Sequence, residues 1–232
     1  MGIKAGPKIV KDGLIFDLDA AVTRSYSGSG LTAYGLVGGI GATLVNGVGF
    51  TSVNSGSFVF DGTNDFIDCG NFLDNPTDFT VIAWHKTSAS TIIQMIVAKL
   101  VNYGSGAGWG MFARGEIPTQ GLSFILQTNG SNWIVYYCSK LVNDNIWHHC
   151  AAVITNKIVT GFYVDGVSYN ILSGSGGTIS TISNSVNVRI GRDEANEYIF
   201  QGNISQAQLY NRALSAVEVR QLYNATKGRY GL

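Results

Sequence analysis

Charge is what this chain has least of. Asp, Glu, Lys and Arg make up 13% of its 232 residues, against about 25% in a typical soluble protein. The 15 basic and 15 acidic residues cancel. A nucleic-acid groove or a basic membrane-binding face needs clustered Lys and Arg, so neither partner is expected. No apolar run reaches the length of a membrane span, and the N-terminal MGIKAGPKIVKDG lacks the apolar stretch of a secretion signal. Gly6 stands where the myristoylation pattern needs Ser or Thr. Cysteine is equally sparse: Cys69, Cys138 and Cys150 are far apart and form no C-x-x-C pair. That spacing argues against a zinc site or a disulfide framework, and for buried free thiols in a chain folded in a reducing cytoplasm.

Hydrophobic residues are plentiful at 45%, and 30 glycines are roughly twice ordinary usage. Together they imply a filled core under a surface of Ser, Thr, Asn and Gly. The organising stretch is SFVFDGTNDFIDCGN, residues 57–71. Phe58 and Phe60 alternate with small neighbours, and an extended pattern resumes at Phe66. The five residues between, Asp61 to Asp65, all favour turns. The spacing predicts a β-hairpin whose tip carries oxygen ligands. Further strands are expected at 13–19, 79–84, 92–99, 109–113, 121–127, 133–138, 147–154, 158–164, 186–191 and 204–210, with brief ones in the Gly- and Ser-rich segment 24–56. Asp165-Gly166 marks a hairpin. One helix is expected, from Ser215 to about Ala225. There Ser215 and Glu218 form a capping box, Leu214 and Val219 a hydrophobic staple. About a dozen strands and a single helix mean a sandwich in one domain, 12–232, preceded by an arm, 1–11.

Five segments together resemble the laminin-G-like jelly roll of the concanavalin A-like lectin and glucanase superfamily: GLIFDLDAA, SFVFDGTNDFIDCGN, DNIWHHCAAVI with the hairpin FYVDGV, and GNISQAQLYNRALSAVEVRQLYN. The resemblance implies an all-β, two-sheet antiparallel jelly-roll sandwich with one short C-terminal helix. The arm, the opening GLIFDLDAA and the ending KGRYGL are similar to domains in structural proteins of tailed phages. That likeness implies a virion protein made in the host cytoplasm.

The superfamily includes glycoside hydrolases whose carboxylates share one strand face as E-x-D-x-x-E. No such spacing occurs here. Asp193-Glu194-Ala195-Asn196-Glu197 comes nearest and reads as a solvated loop, while His148 and His149 point to opposite faces and read as structural. The chain is therefore expected not to be an enzyme. Calcium is the candidate cofactor, since hard cations take clustered oxygen ligands. Asp61, Asn64 and Asp65 are the candidate ligands, joined by Asp193 or Glu194 from a late loop; Asp17 and Asp19 are a weaker second set. The same turn residues also fit backbone capping, which leaves two readings open. For carbohydrate, Trp133 with Asn132 is the first candidate, with Trp109, Tyr136 and Tyr137 on nearby strands and Asn129 and Ser131 in the preceding turn. Trp84 and Trp147 read as core. The function expected is a lectin-like virion module on a capsid or tail, a homo-oligomer among other virion proteins that touches host surface glycans. The competing expectation is a purely structural decoration or oligomerisation module.

Overall fold

The computed structural model describes residues 8–89, 93–114, 120–129, 132–174 and 178–232. Expected features at 1–7, Ile92 and Ser131 lie outside these. In chain order the strands are β1 (Leu14–Asp19), β2 (Thr32–Tyr34), β3 (Gly41–Val45), β4 (Gly49–Thr51), β5 (Ser57–Asp61), β6 (Phe66–Asp68), β7 (Phe79–Lys86), β8 (Ile93–Leu100), β9 (Gly108–Arg114), β10 (Leu122–Gln127), β11 (Trp133–Tyr137), β12 (His148–Thr155), β13 (Ile158–Val164), β14 (Val167–Tyr169), β15 (Leu172–Ser173), β16 (Arg189–Ile190) and β17 (Gln201–Tyr210). They form two antiparallel sheets. The first runs β14-β13-β12-β7-β17-β5-β4, with β1 also paired to β17; the second runs β15-β11-β10-β9-β8-β16-β6-β3-β2.

Period-two alternation builds three apolar layers from these two sheets. Phe58 and Phe60 of β5, Trp109 and Met111 of β9 and Phe124 and Leu126 of β10 fill the space between the sheets. On the far side of the first sheet, Ile82, Ala151, Val153 and Tyr210 meet Val219 and Leu222 of helix α1 (Ala216–Thr226). On the far side of the second sheet, Met95, Phe112, Ile125 and Val135 form a third cluster. Strands apolar on both faces are thus explained by cover on both faces.

The helix begins as its sequence requires. The Ser215 hydroxyl accepts from the Glu218 amide at 3.3 Å, and the Ser215 amide donates back to Glu218 at 2.8 Å. Arg212 clamps Glu218 at 2.6 Å, and its hydrogen bond is the main reason the Glu218 carboxyl falls to about 2. Trp84 lies beneath the helix, stacked on Tyr230 at 4.1 Å with its indole N–H on Thr226. Asp165 and Gly166 join β13 to β14 with positive φ at both, the two-residue turn that suits the strands' twist.

The stretch 57–71 differs from its expectation. It is not a hairpin: β5 pairs with β4 and β17 in the first sheet, β6 with β3 and β16 in the second. The turn is a crossover between sheets, because Phe58 and Ile67 must enter one core from opposite sides. Part of the expected arm also docks. Val10 is buried in the cluster beneath the helix, and its carbonyl accepts from the Tyr210 hydroxyl at 2.9 Å. The three cysteines are free and buried. Among the described residues, no helix is long and apolar enough to cross a membrane.

Candidate functional site

The third apolar cluster is roofed by aromatic side chains. Residues alternate along β11, so Trp133, Val135 and Tyr137 point outward while Ile134 and Tyr136 point inward. Tyr103, from the loop between β8 and β9, lies 6.2 Å from Trp133, 5.1 Å from Tyr198 and 5.9 Å from Phe112, centre to centre. A cleft of about 200 Å³ opens here, lined by Tyr103, Arg114, Gln120, Trp133, Val135, Tyr137 and Gly174. Arg114 donates to the Gln120 amide oxygen at 2.7 Å. Part-buried rings beside an amide and a guanidinium offer apolar faces and directed donors together, which is what a hydroxylated ring ligand requires.

Buried polar groups set the shape of this cleft. Gln127 faces outward from β10 as the register partner of Trp133, and it is fully buried. Its amide oxygen accepts from the Gly104 N–H at 2.7 Å; its amide nitrogen donates to the carbonyls of Asn102, at 3.0 Å, and Gly106. All three partners belong to the loop that carries Tyr103. Asp193 acts from the other side. Burial pushes its carboxyl above the ordinary range, against the pull of backbone N–H groups of Glu197, Asn196 and Tyr103. A larger cavity, about 430 Å³, lies between the β13–β14 turn and the helix. Its aromatic lining is Tyr163 and Tyr223, without the close-set rings of the first cleft.

The structure brings together only some of the expected residues. Trp133 is at the cleft, and Asn132 is exposed beside it. Trp109 and Tyr136 are not: they are 0% and 8% exposed and belong to the layer between the sheets, where Trp109 packs on Phe79 and Phe124. Strand parity turns both away from the outer face. Trp84 is core as expected, whereas Trp147 is part-buried, its ring 4.8 Å from Tyr230. Tyr103, Arg114, Gln120 and Gln127 were not singled out from sequence. The available signal was parity, which pairs Trp133 with Tyr137 rather than Tyr136.

Three of the candidate metal ligands, Asp61, Asn64 and Asp65, share one turn. Among the described residues, no three His, Cys, Asp or Glu side chains converge to hold a metal ion, so Asp61, Asp65 and Asp193 do not make one set. Asp61 accepts from the Thr63 N–H at 2.7 Å and Asp65 from the Asp61 N–H at 3.1 Å, which is turn capping. Asn64 is exposed, its carbonyl held by Asn46. Asp65 is 2% exposed and its Oδ1 has no partner among the described residues; burial raises its carboxyl. In the second set, Asp17 accepts from Gln206 and Asp19 from Arg229. The loop at 193–197 is not uniformly solvated, since Asp193 is buried and Glu194 pairs with Arg189 at 2.6 Å. His148 is buried with its ring nitrogens 2.7 Å from Asp165 and 3.0 Å from Asp144. His149 lies against Trp84.

Residues 61–220 match the model of the concanavalin A-like lectin/glucanases superfamily, more than half of the chain. The chain belongs to this superfamily. No curated protein matches it. Among solved structures it is similar to the binding domain of Paraclostridial Mosquitocidal Protein 1, at 18% identity over 92% of this chain and 52% of that one, with a TM-score of 0.69. A Trypanosoma rangeli sialidase follows at 16% identity, 95% and 34% coverage and 0.64. Domain 4 of AbnA, a GH43 extracellular arabinanase from Geobacillus stearothermophilus in complex with arabinotriose, gives 15%, 90% and 98%, and 0.63. The chain thus spans about half of the first and a third of the second. At these identities the likeness shows the superfamily's fold.

The comparisons correct one expectation. The chain was expected not to be an enzyme because it lacks the E-x-D-x-x-E strand. Proteins bearing this fold include sialidases and an arabinanase. Sialidases use a tyrosine nucleophile, so a missing carboxylate pair does not exclude catalysis on a glycan.

Proposed function

We propose that this chain is a carbohydrate-binding module that holds its ligand in the cleft around Trp133. The observation that carries the reading is the meeting of three part-buried rings, Tyr103, Trp133 and Tyr137, with Gln120 and Arg114 on the outer face of one sheet. The superfamily supports it, as do an arabinanase domain solved with arabinotriose and a sialidase solved with sialic acid. The reading extends to a virion: a homo-oligomer on a capsid or tail, set among other virion proteins and touching host surface glycans. GLIFDLDAA and KGRYGL support that placement. Calcium enters the proposal through Asp65 Oδ1 in the Asp61–Asp65 turn.

The test is a glycan array probed with purified protein, in calcium and again in chelator, with the bound glycans then analysed for cleavage. Binding that disappears in Trp133→Ala, with the melting temperature kept, is the expected result. Folded protein that binds nothing in either condition would sink the reading and favour a decoration module.

A further inference from the structure

We infer that the cleft recognises a linear oligosaccharide lying along β11, contacted at two separated units, rather than a single terminal sugar. The inference rests on the carbohydrate reading and deepens it. Trp133 and Tyr137 are four residues apart on one strand, on the same face. At 3.2–3.4 Å per residue their positions are about 13 Å apart, longer than one sugar ring. Val135, between them, is small and buried, so it offers no stacking surface.

Each end has its own surroundings. The strand register places Gln127 beside Trp133 and Ser123 beside Tyr137. Ser123 in turn pairs with Phe112, two residues before Arg114. At the Trp133 end the wall is Tyr103, whose loop Gln127 holds by three hydrogen bonds. At the Tyr137 end the Arg114–Gln120 pair borders the cleft. One unit stacks at Trp133 against Tyr103, a second stacks at Tyr137 beside the polar pair, and the unit between them crosses Val135. The 200 Å³ of the cleft holds part of such a chain and leaves the remainder outside, which fits recognition of a continuous strand of sugars instead of a closed pocket around one.

The experiment is calorimetric titration of the full chain with cello-, xylo- and malto-oligosaccharides of one to six units. Once one platform is engaged the second contact is intramolecular, so affinity should step up by at least about tenfold when the chain becomes long enough to reach both. Tyr137→Ala should remove the step, so that affinity no longer rises with chain length, while Tyr137→Phe, which keeps the ring, should retain it. Thermal melts show that both variants are folded. A single sugar binding as tightly as a hexamer, or an array-positive protein that binds no member of the three series, overturns the inference and leaves the carbohydrate reading standing. An array with no binding at all overturns that reading first.

Discussion

Arg229 closes on Asp19. Its Nη1 lies 2.9 and 2.7 Å from the two carboxylate oxygens, tying the turn after the helix to the first strand. Asp19 is 2% exposed, so its charge depends on this partner and on the N–H of Ala21. Removing one member of a buried pair leaves the other uncompensated, which costs more than the pair contributes. Arg229→Ala should therefore destabilise by about 3 kcal/mol, and Asp19→Asn by less. Urea denaturation of both variants and of the double variant checks this. Equal losses in the two single variants would mean that water already serves Asp19.

The acid limb of stability has two opposing sources. Burial pushes His85 and His149 down to about 4 from 6.5, so both are neutral when folded and take up protons on unfolding. Their contribution is complete above pH 6.5 and is lost as the pH falls toward 4. Asp17 works the other way. Burial, opposed by the Gln206 hydrogen bond, raises it to about 6 from 3.8, so its contribution is present below pH 3.8 and lost as the pH rises through 6. Asp65 and Asp193, whose carboxyls burial also raises, act in the same sense as Asp17. Removing Asp17 therefore shifts the balance toward the histidines: in Asp17→Asn the urea midpoint should drop more, or rise less, between pH 6.5 and 4 than in the parent. A pH profile identical to the parent's would contradict the raised Asp17 carboxyl.

Trp109 and Trp133 separate packing from binding. Trp109 is enclosed between the sheets against Phe79 and Phe124, so Trp109→Ala should cost roughly 3–5 kcal/mol by opening a cavity. Trp133 is part-buried at the cleft, so Trp133→Ala should remove glycan binding with a much smaller loss in melting temperature. Comparable losses of stability in the two variants would put Trp133 in the core and leave the cleft without its main platform.

The same pair shows what could be read from the sequence. Alternation and the capping box are local, and Phe58, Phe60, Ser215 and Glu218 announced their strand and helix directly. Which sheet a strand joins is a long-range matter: nothing within 57–71 says that β5 and β6 part company, because either partnering buries Phe58 and Ile67. The site was legible at Trp133 and Tyr137, both among the candidate aromatics and both at the cleft. Strand parity separates Tyr137 from Tyr136, but which parity faces outward depends on whether Trp109 or Phe112 turns into the sandwich. Both are large and apolar, and both are fully buried. Asp193 bonds locally to Glu197, and its long-range partner is the Tyr103 N–H. Gln127 carries no local signature, since its partners in the 101–107 loop are brought to it by the fold.

Gln127 makes the last of these relations testable. Three backbone groups, of Asn102, Gly104 and Gly106, depend on one buried amide. In Gln127→Ala they lose that partner, for a loss of about 2 kcal/mol. The loop should then loosen and release Tyr103 from Trp133. Trp133 emission should shift to longer wavelength and become more accessible to acrylamide, an effect absent when the same change is made in a Trp133→Phe background. Oligosaccharide affinity should fall with it. Gln127→Glu keeps the acceptor for Gly104 but sets a carboxylate against two carbonyls, so it should weaken binding at least as much. Unchanged quenching in Gln127→Ala would show that the Asp193 contacts and the Tyr103–Tyr198 packing suffice to hold the wall of the cleft.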